Sequence, residues 1–518
     1  MPIQITNNKQ ALCILSLYTI VLLFLVSPDS FTHDLYTCTD TPIFFMCGKA
    51  WMNGMVPYVD FTDSKGPLLW LIQGLGYLIS HYNYIGVFLL SCILYCTVFY
   101  LAYKIAFLFL KDYLLAIICS MLMGLVYFNP WYHYEIKSED WCQPFILLVL
   151  YRLCLQYYET DIKDRHSLYI TSFILGFSCA GPLLIKYSIT VMMAIMILSF
   201  YIHLIRERLN LIMPTLLMIS GALTLIIPFV TYFYFLGNLY DFINEYFIRT
   251  FETIDSSNNF KTYIHEILQT TADTRYALLF FTSLFGCIMF GKHNKTHRLF
   301  PLVSMLFFWI ISIHHATNYY YLTSNFSFLI FFLTWVVKIN YTKLINISKH
   351  SFISVSFILI LFLTYWNYTF TNGYLLSNLF FFNNAYRPTF YNAAYILSQV
   401  KNPKIVYLDC AIHGWGTPVN ALPGSKYYNT QYGETKEMRN RKHQDVLQQI
   451  PDFICMEEAF LHEDAMEIVK KAGYTLCYDF HWWHHHFYFY TKHKGIKPPT
   501  KDIHISNIDI LLKRRIFQ

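Results

Sequence analysis

Residues 66–80, GPLLWLIQGLGYLIS, are the stretch on which the topology of this chain turns. The run is apolar but has only 15 residues and contains Gln73 and the glycines at 74 and 76. That is short of the roughly 20 residues a helix needs to cross a hydrocarbon core. Eleven other apolar runs are less ambiguous, at about 11–27, 85–103, 113–129, 141–157, 168–184, 188–205, 210–236, 276–291, 299–313, 321–338 and 351–370. Charge parity settles the ambiguous one. If 66–80 does not span, the basic loops at Lys104/Lys111, Lys163/Arg165, Arg206/Arg208, Lys292/Lys295/Arg298 and Lys338/Lys343/Lys349 all share the side of the N-terminus. If it spans, every one of them flips outside. The positive-inside rule therefore makes 66–80 a juxtamembrane or re-entrant segment, with a cytoplasmic N-terminus, eleven spans and an external C-terminus. The outer side then holds residues 28–84, 130–140, 237–275, 314–320 and everything after 370.

Composition agrees with this reading. Of 518 residues, 55% are hydrophobic and 14% charged, where a soluble chain has about a quarter charged, and the mean hydropathy is +0.37. A single soluble domain, a coiled coil, a disordered tail and a nucleic-acid module are excluded. The net charge of +6 is scattered over short loops, as a topology signal is, rather than gathered into a patch. The first run follows a short polar start with one lysine, and no small-x-small pattern precedes Asp29, so it is read as a retained span rather than a cleaved signal. Thirteen cysteines fall mostly inside apolar segments without a CxxC pair. Only Cys38 and Cys47 share a polar loop, where pairing stays open.

After 370 the apolar runs fall to strand length. KIVYLDC (404–410), PDFICM (451–456), YTLCYDF (474–480) and HFYFYTK (486–492) read as strands. Residues 434–450 and 458–471 carry helical patterning, the second stopped by Gly473. The expected fold class is a polytopic α-helical membrane protein with a small soluble α/β domain, divided at 1–370 and 371–518.

Chemistry gathers in the first external loop, TDTPIFFMCGKAWMNGMVPYVDFTDSKGPLLW, residues 39–70. Thr41 is a candidate N-cap, Pro42 a good first helical residue, and Gly54 a stop. Asp40 thus lies at the mouth of a short amphipathic helix on the outer face. A helix N-terminus favours its ionised form while nearby lipid disfavours it, an environment that suits a general base. A bare capping role is the alternative. Tyr58, Asp60, Asp63 and Lys65 then crowd against a membrane-dipping segment, a costly place for charge unless something binds there. Glu139 and Asp140 open the fourth span from NPWYHYEIKSED (129–140), and Lys186, in GPLLIKYS (181–188), is external, where a lysine carries no topology signal and reads as a pairing or anion-binding group.

These blocks resemble the membrane-embedded GT-C glycosyltransferases, in particular the family 39-like branch that includes protein O-mannosyltransferases and lipid A aminoarabinose transferases. The matching features are Asp40, fourteen residues before the Gly-x-x-Pro-Tyr of Gly54 to Tyr58; the block Asp63-Ser64-Lys65-Gly66-Pro67; and Ser138-Glu139 opening the fourth span. The long first loop and the external soluble tail also match. The resemblance implies a GT-C fold with juxtamembrane helices and transfer of a sugar, with inversion, from a polyprenyl-phosphate donor to an external lipid, glycan or protein acceptor. Asp40 takes the position of the catalytic base, Glu139 that of a second acid for which the family usually has Asp, and Lys186 that of the lysine facing it. Lys65 falls near the donor phosphate, where a fixed cation stabilises charge growing on the leaving group. Tyr58, Asp63 and Asp140 are candidate substrate contacts.

His314 and His315, in HHATNYYYL (314–322), resemble a His/Tyr loop of this branch and either touch the donor phosphate or cap the interface. Arg249, in NEYFIRTFE (244–252), binds phosphate or anchors an amphipathic helix to head groups. In the run His481-Trp482-Trp483-His484-His485-His486, consecutive histidines point in alternating directions and no acid or cysteine has matching spacing, so no metal site is expected. No cofactor is indicated and no nucleic acid is expected. The rival class is a multi-span transporter or flippase of lipid-linked sugars, which places its charges near the midplane rather than at one face. A bacterial inner membrane, with the chemistry on the periplasmic side, is the expected location.

Overall fold

The computed structural model describes residues 7–27, 30, 40–129, 136–159, 164–249, 260–291, 299–313, 319–343, 349–370, 387–410, 414–429, 434–482 and 485–505. Its contacts form two compact units, one from residues 1–27, 91–231 and 257–372, the other from 28–90, 232–256 and 373–518.

The chain is mainly helical. In order it forms α1 (Asn8–Val26), α2 (Asp40–Met52), α3 (Pro67–Ile79), α4 (Ile85–Leu110), α5 (Tyr113–Tyr127), α6 (Ser138–Tyr158), α7 (Arg165–Leu183), α8 (Tyr187–Arg206), α9 (Ile212–Phe235) and α10 (Leu239–Ile243). The last of these runs on as a π-helix, Asn244–Ile248. Then come α11 (Phe260–Ala272), α12 (Thr274–Gly291), α13 (Phe300–Ser312), a 3-10 helix (Tyr319–Phe328), α14 (Leu329–Lys343), α15 (Lys349–Phe370) and α16 (Arg387–Ser398). Asp112 shows how the sequence starts such helices: its carboxylate accepts from the backbone N–H groups of Leu114 and Leu115 and so satisfies donors that α5 leaves open.

The bulk of each of the eleven apolar runs lies on a helix. Among the described residues, five helical stretches are long and apolar enough to cross a membrane: Asn8–Val26, Ile85–Leu110, Tyr187–Arg206, Ile212–Phe235 and Leu322–Asn340. Shorter apolar helices include Tyr113–Tyr127, Tyr276–Phe290, Phe300–Ser312 and Ile353–Trp366. The chain is a multi-pass integral membrane protein. In the first unit α6, α7 and α8 pack together, and α12 packs on α13 and α14.

In the second unit the 66–80 run is α3, with Gly66 at its N-cap and Pro67 in its first turn. Its 13 residues extend about 20 Å, less than the ~30 Å of a hydrocarbon core. It packs against α2. That helix begins two residues earlier than its cap signals predict, so that Asp40 is its first residue rather than a residue before the cap.

The C-terminal part of this unit is α/β. Strands β1 (Lys404–Tyr407), β2 (Leu422–Pro423), β3 (Phe453–Glu457), β4 (Thr475–Trp482) and β5 (His485–Thr491) form one sheet in the order β2-β1-β3-β5-β4. The β2, β1 and β3 pairings are parallel, and the β5 and β4 pairings antiparallel. Helices α17 (Lys436–Leu447) and α18 (Glu463–Lys471) join strands, and their apolar faces share a core with Val406, Leu408, Ile454 and Met456. Gly473 ends α18 at φ +78°, as its sequence position predicts. The 458–471 helix is shorter than expected, because Glu458–Phe460 is a separate 3-10 turn.

Candidate active site

The second unit holds the first-loop candidates. Helices α2 and α3 approach so closely that a Cβ on Gly48 would sit 2.3 Å from the backbone N of Gly74 and 2.8 Å from Trp70 O. Glycine is required there for backbone contact, and the contact sets the two ends of the acidic loop. Lys49, on the same helix, is buried and donates from Nζ to Gly416 O at 2.8 Å and Val419 O at 3.1 Å. Burial pulls its ammonium down to about 7. Asp40, at the head of α2, is half-buried.

Within the loop, Tyr58 is buried and held at φ +66°, a left-handed conformation uncommon for a bulky residue. Three contacts hold it there: its N–H donates to Phe61 O at 2.8 Å, its phenol donates to Lys65 O at 3.2 Å, and its ring packs on Trp70 and Phe242. Such strain persists where the surroundings over-determine it, as at ligand sites. Asp63 is buried. Its carboxyl is pushed above its ordinary value by burial; the Lys65 ammonium and the backbone amides of Lys65 and Ser64 pull it back, while the charge of Asp40 adds to the rise. Lys65 Nζ donates to Ser64 Oγ at 2.8 Å and stands 5.9 Å from the Phe44 ring centre. Asp40, Asp63 and Lys65 thus form one electrostatic group.

Arg249 belongs to this unit too, immediately after the π-helix. It pairs with Glu245 at 3.6 Å and Glu437 at 3.2 Å, and it hydrogen-bonds the phenol of Tyr427. Glu245 is buried and also receives Lys426 Nζ at 2.9 Å and the Tyr427 phenol at 3.2 Å. The segment carrying these partners runs beside the acidic loop. Lys426 O accepts from Thr62 N at 2.9 Å, and Tyr428 Oη lies 3.3 Å from Cys47 Sγ and donates to Ile43 O at 3.1 Å. Nothing in the sequence pointed to Glu245, Lys426 or Tyr427, because their importance lies in long-range pairing. Cys47 carries a free thiol; Cys38 lies outside the described residues.

The first unit brings Glu139 and Lys186 together. Glu139 sits in the first turn of α6, and Lys186 at the N-cap of α8. Their side chains form a buried ion pair, and Ser138 Oγ donates to the other oxygen of Glu139 at 2.8 Å. Asp140 caps its own helix by accepting from Lys137 N at 2.6 Å, and the Tyr127 phenol donates to its second oxygen. Asp140 is therefore occupied by its own helix terminus. Gln143, which the sequence did not single out, lies one turn on; its amide donates to Thr323 O at 2.6 Å and accepts from Ser327 Oγ at 2.5 Å, holding the 3-10 helix. A usable signal existed in the polar run Thr323, Ser324, Asn325 and Ser327 inside an apolar stretch. His314 and His315 lie outside the described residues.

Among the described residues, no group of three or more His, Cys, Asp or Glu side chains is arranged to hold a metal ion. The His481 and His486 rings stack at 4.3 Å between centroids, and His486 faces Glu458 and Asp479.

No protein-family model and no curated protein matches the chain. Solved structures do. A crystal structure of ArnT from Cupriavidus metallidurans bound to undecaprenyl phosphate is similar with a TM-score of 0.58 and 11% identity, over 95% of this chain and 99% of that one. The apo structure of the same protein matches with a TM-score of 0.58 and 10% identity, over the same shares. The chain shares the fold of these ArnT structures.

Proposed function

We propose that this chain is an integral-membrane glycosyltransferase that moves a sugar from a polyprenyl-phosphate donor to an external lipid, glycan or protein acceptor. The observation that carries the proposal is the Asp40, Asp63 and Lys65 group, set around the strained Tyr58 on a fold shared with an ArnT structure that holds undecaprenyl phosphate. Asp40 removes the proton of the acceptor hydroxyl as its oxygen attacks the anomeric carbon from the face opposite the phosphate. The bond from that carbon to the phosphate oxygen breaks, and its electron pair leaves on the phosphate. Lys65 and Arg249 meet the growing charge. Glu139 and Lys186 act as a charge-balanced pair in the membrane domain, and Tyr58 and Asp63 contact the substrates.

In this reading the chain crosses the membrane eleven times with its N-terminus in the cytoplasm. Residues 1–370 form the catalytic membrane domain and 371–518 an extracytoplasmic α/β domain, on the periplasmic side of a bacterial inner membrane. The positive-inside distribution of the basic loops supports the orientation.

The test is transfer from synthetic polyprenyl-phosphate sugars by the purified full chain, wild type beside Asp40→Asn, with native envelope extracts as acceptor. Turnover lost in Asp40→Asn, with undecaprenyl-phosphate-dependent thermal stabilisation retained, supports the transferase and its base together. Full activity in the variant removes Asp40 as base. Translocation of the lipid-linked sugar without transfer replaces the reading with the flippase.

A further inference from the structure

The neighbouring strands β1 and β3 bring two cysteines into contact. Cys455 lies within β3 and Cys410 just beyond the end of β1. Both are fully buried thiols, and their Sγ atoms stand 3.6 Å apart. A disulfide brings its sulfurs to about 2.05 Å, so they need approach by only about 1.5 Å, within the swing of the two side chains. The backbone requirement is met as well. Adjacent strands run about 4.8 Å apart, inside the roughly 4.4–6.8 Å between Cα atoms that a disulfide spans. The pairing continues past the end of β1, with Leu408 N donating to Cys455 O at 2.9 Å and Glu457 N to Asp409 O at 3.3 Å.

Strand geometry alone does not produce this contact. Tyr407 pairs in register with Cys455, while Val406 and Leu408 lie on the opposite face, in the core covered by helices. Simple alternation would send Cys410 to that opposite face too. Asp409 prevents this with φ +51°, a left-handed conformation that few non-glycine residues adopt. Its carboxylate is gripped by Arg439 at 3.0 Å on each oxygen and accepts from His462 N at 3.0 Å. Such strain persists only where the surroundings over-determine it, and its result here is to set Cys410 Sγ against Cys455 Sγ. Cys477, the remaining cysteine after residue 370, lies in β4 with β5 between it and β3, and donates to Phe489 O at 3.2 Å.

We propose that Cys410 and Cys455 are an oxidative modification site and form a disulfide in the mature protein. The inference rests on the external orientation proposed above, because oxidising compartments form and keep such bonds. The oxidant is a disulfide-bearing protein or small molecule of that compartment. One thiolate attacks a sulfur of the carrier's disulfide, forming a mixed disulfide and releasing one carrier thiol; the second thiolate attacks the mixed disulfide and releases the other. The bond between Cys410 Sγ and Cys455 Sγ forms, the carrier's S–S bond breaks, and the carrier's two sulfurs take up the two electrons and the two protons. Because both sulfurs are buried in the finished sheet, the exchange takes place during folding. The crosslink pins the start of the segment that carries Gly416 and Val419, whose carbonyls receive Lys49 Nζ. It thereby steadies the seat of α2, the helix whose first residue is Asp40.

The experiment takes the full chain from its native membrane, lysed in denaturant with N-ethylmaleimide so that every thiol is trapped before air can oxidise it. Trypsin then leaves Cys410 in peptide 405–426 and Cys455 in peptide 443–470, one cysteine in each. Mass analysis is expected to find the two peptides joined, the link lost with dithiothreitol, and Cys477 alkylated. In parallel, a C-terminal alkaline phosphatase fusion, active only outside the cytoplasm, reports the orientation. Cys410 and Cys455 both alkylated beside an active phosphatase overturns the disulfide while the orientation and the transferase stand. Both alkylated beside an inactive phosphatase overturns the orientation, and this inference with it. A link from either residue to Cys477 overturns the pairing. Melting curves separate a bond from two packed thiols. Cys410→Ala and Cys455→Ala are each expected to lower Tm by roughly 5–10 °C, and the double variant by no more than either, since all three remove the same bond. Losses that add in the double variant show independent packing and overturn the crosslink.

Discussion

Lys186, at the N-cap of α8, holds its ammonium against the carboxylate of Glu139 in the first turn of α6, and both groups are buried. The two helix ends have opposite effects. An α-helix N-terminus favours an anion, so the end of α6 suits the Glu139 carboxylate, whereas the N-terminus of α8 disfavours a cation. Lys186 is therefore held by Glu139 against the field of its own helix. A pair of this kind adds little net stability over apolar residues, yet removing one partner strands the other.

Lys186→Met is accordingly expected to destabilise the protein by about 3–5 kcal/mol, because the Glu139 carboxylate is left buried without its cation. The double variant Glu139→Gln with Lys186→Met recovers most of that loss. Melting curves of the three purified proteins in one detergent check this. A double variant no more stable than Lys186→Met shows that the pairing is not what the lysine contributes.

Gly48 and Gly54 separate packing from backbone conformation. A Cβ at Gly48 meets backbone atoms of α3 at 2.3 Å, so Gly48→Ala must push the two helices apart, with a loss of about 1–3 kcal/mol or more. Gly54 has open space around it but sits at φ +86°, so Gly54→Ala carries only conformational strain, about 1 kcal/mol. Melting temperatures rank the two. Because Gly48 sets the base of the acidic loop, Gly48→Ala is also expected to reduce transfer by more than its stability loss explains.

Local signals made much of this fold legible. Thr41, Pro42 and Gly54 marked α2 to within two residues, and apolar runs of strand length found four of the five strands. The second strand escaped because Leu422–Pro423 is too short to show a period. What stayed hidden depends on long-range contacts. Lys49 reaches Gly416, Cys47 meets Tyr428 and Thr62 bonds Lys426, pairings more than 360 residues apart that no periodicity carries. The change in composition at 371 marks where the segments become strand-like, whereas contacts group the first loop with the segment beyond 373. Arg249 was visible as a conspicuous cation, but the buried Glu245 that holds it reads in sequence as one more polar residue of a loop.

Lys49 gives a pH dependence with a definite sign. Burial lowers its ammonium from 10.5 to about 7, so between those values the unfolded chain binds a proton that the native chain does not. Stability therefore rises with pH across that window and is flat below it. Lys49→Gln retains a donor for Gly416 O but does not titrate. The wild type is expected to gain stability relative to Lys49→Gln from neutral pH to about pH 9.5, by at most about 3 kcal/mol. Parallel melting curves check it, and parallel pH profiles for the two proteins would show that the lysine stays charged.

Asp63 has the opposite slope. Burial raises its carboxyl above the ordinary 3.8, Lys65 opposes the rise, and Asp40 adds to it. A carboxyl raised in the native state stabilises fully below its ordinary value, and that stability is lost as pH climbs through the raised value. Wild type should therefore lose stability relative to Asp63→Asn as pH rises from about 4, then run parallel to it once Asp63 is ionised in both states. Asp40→Asn removes a like charge and should move the end of that loss to lower pH; Lys65→Met removes the opposing cation and should move it higher. Melting temperatures of the four proteins across this range check the order. An Asp40→Asn profile identical to that of the wild type would mean that the two carboxylates do not share a field, and would take Asp63 out of the group built around the proposed base.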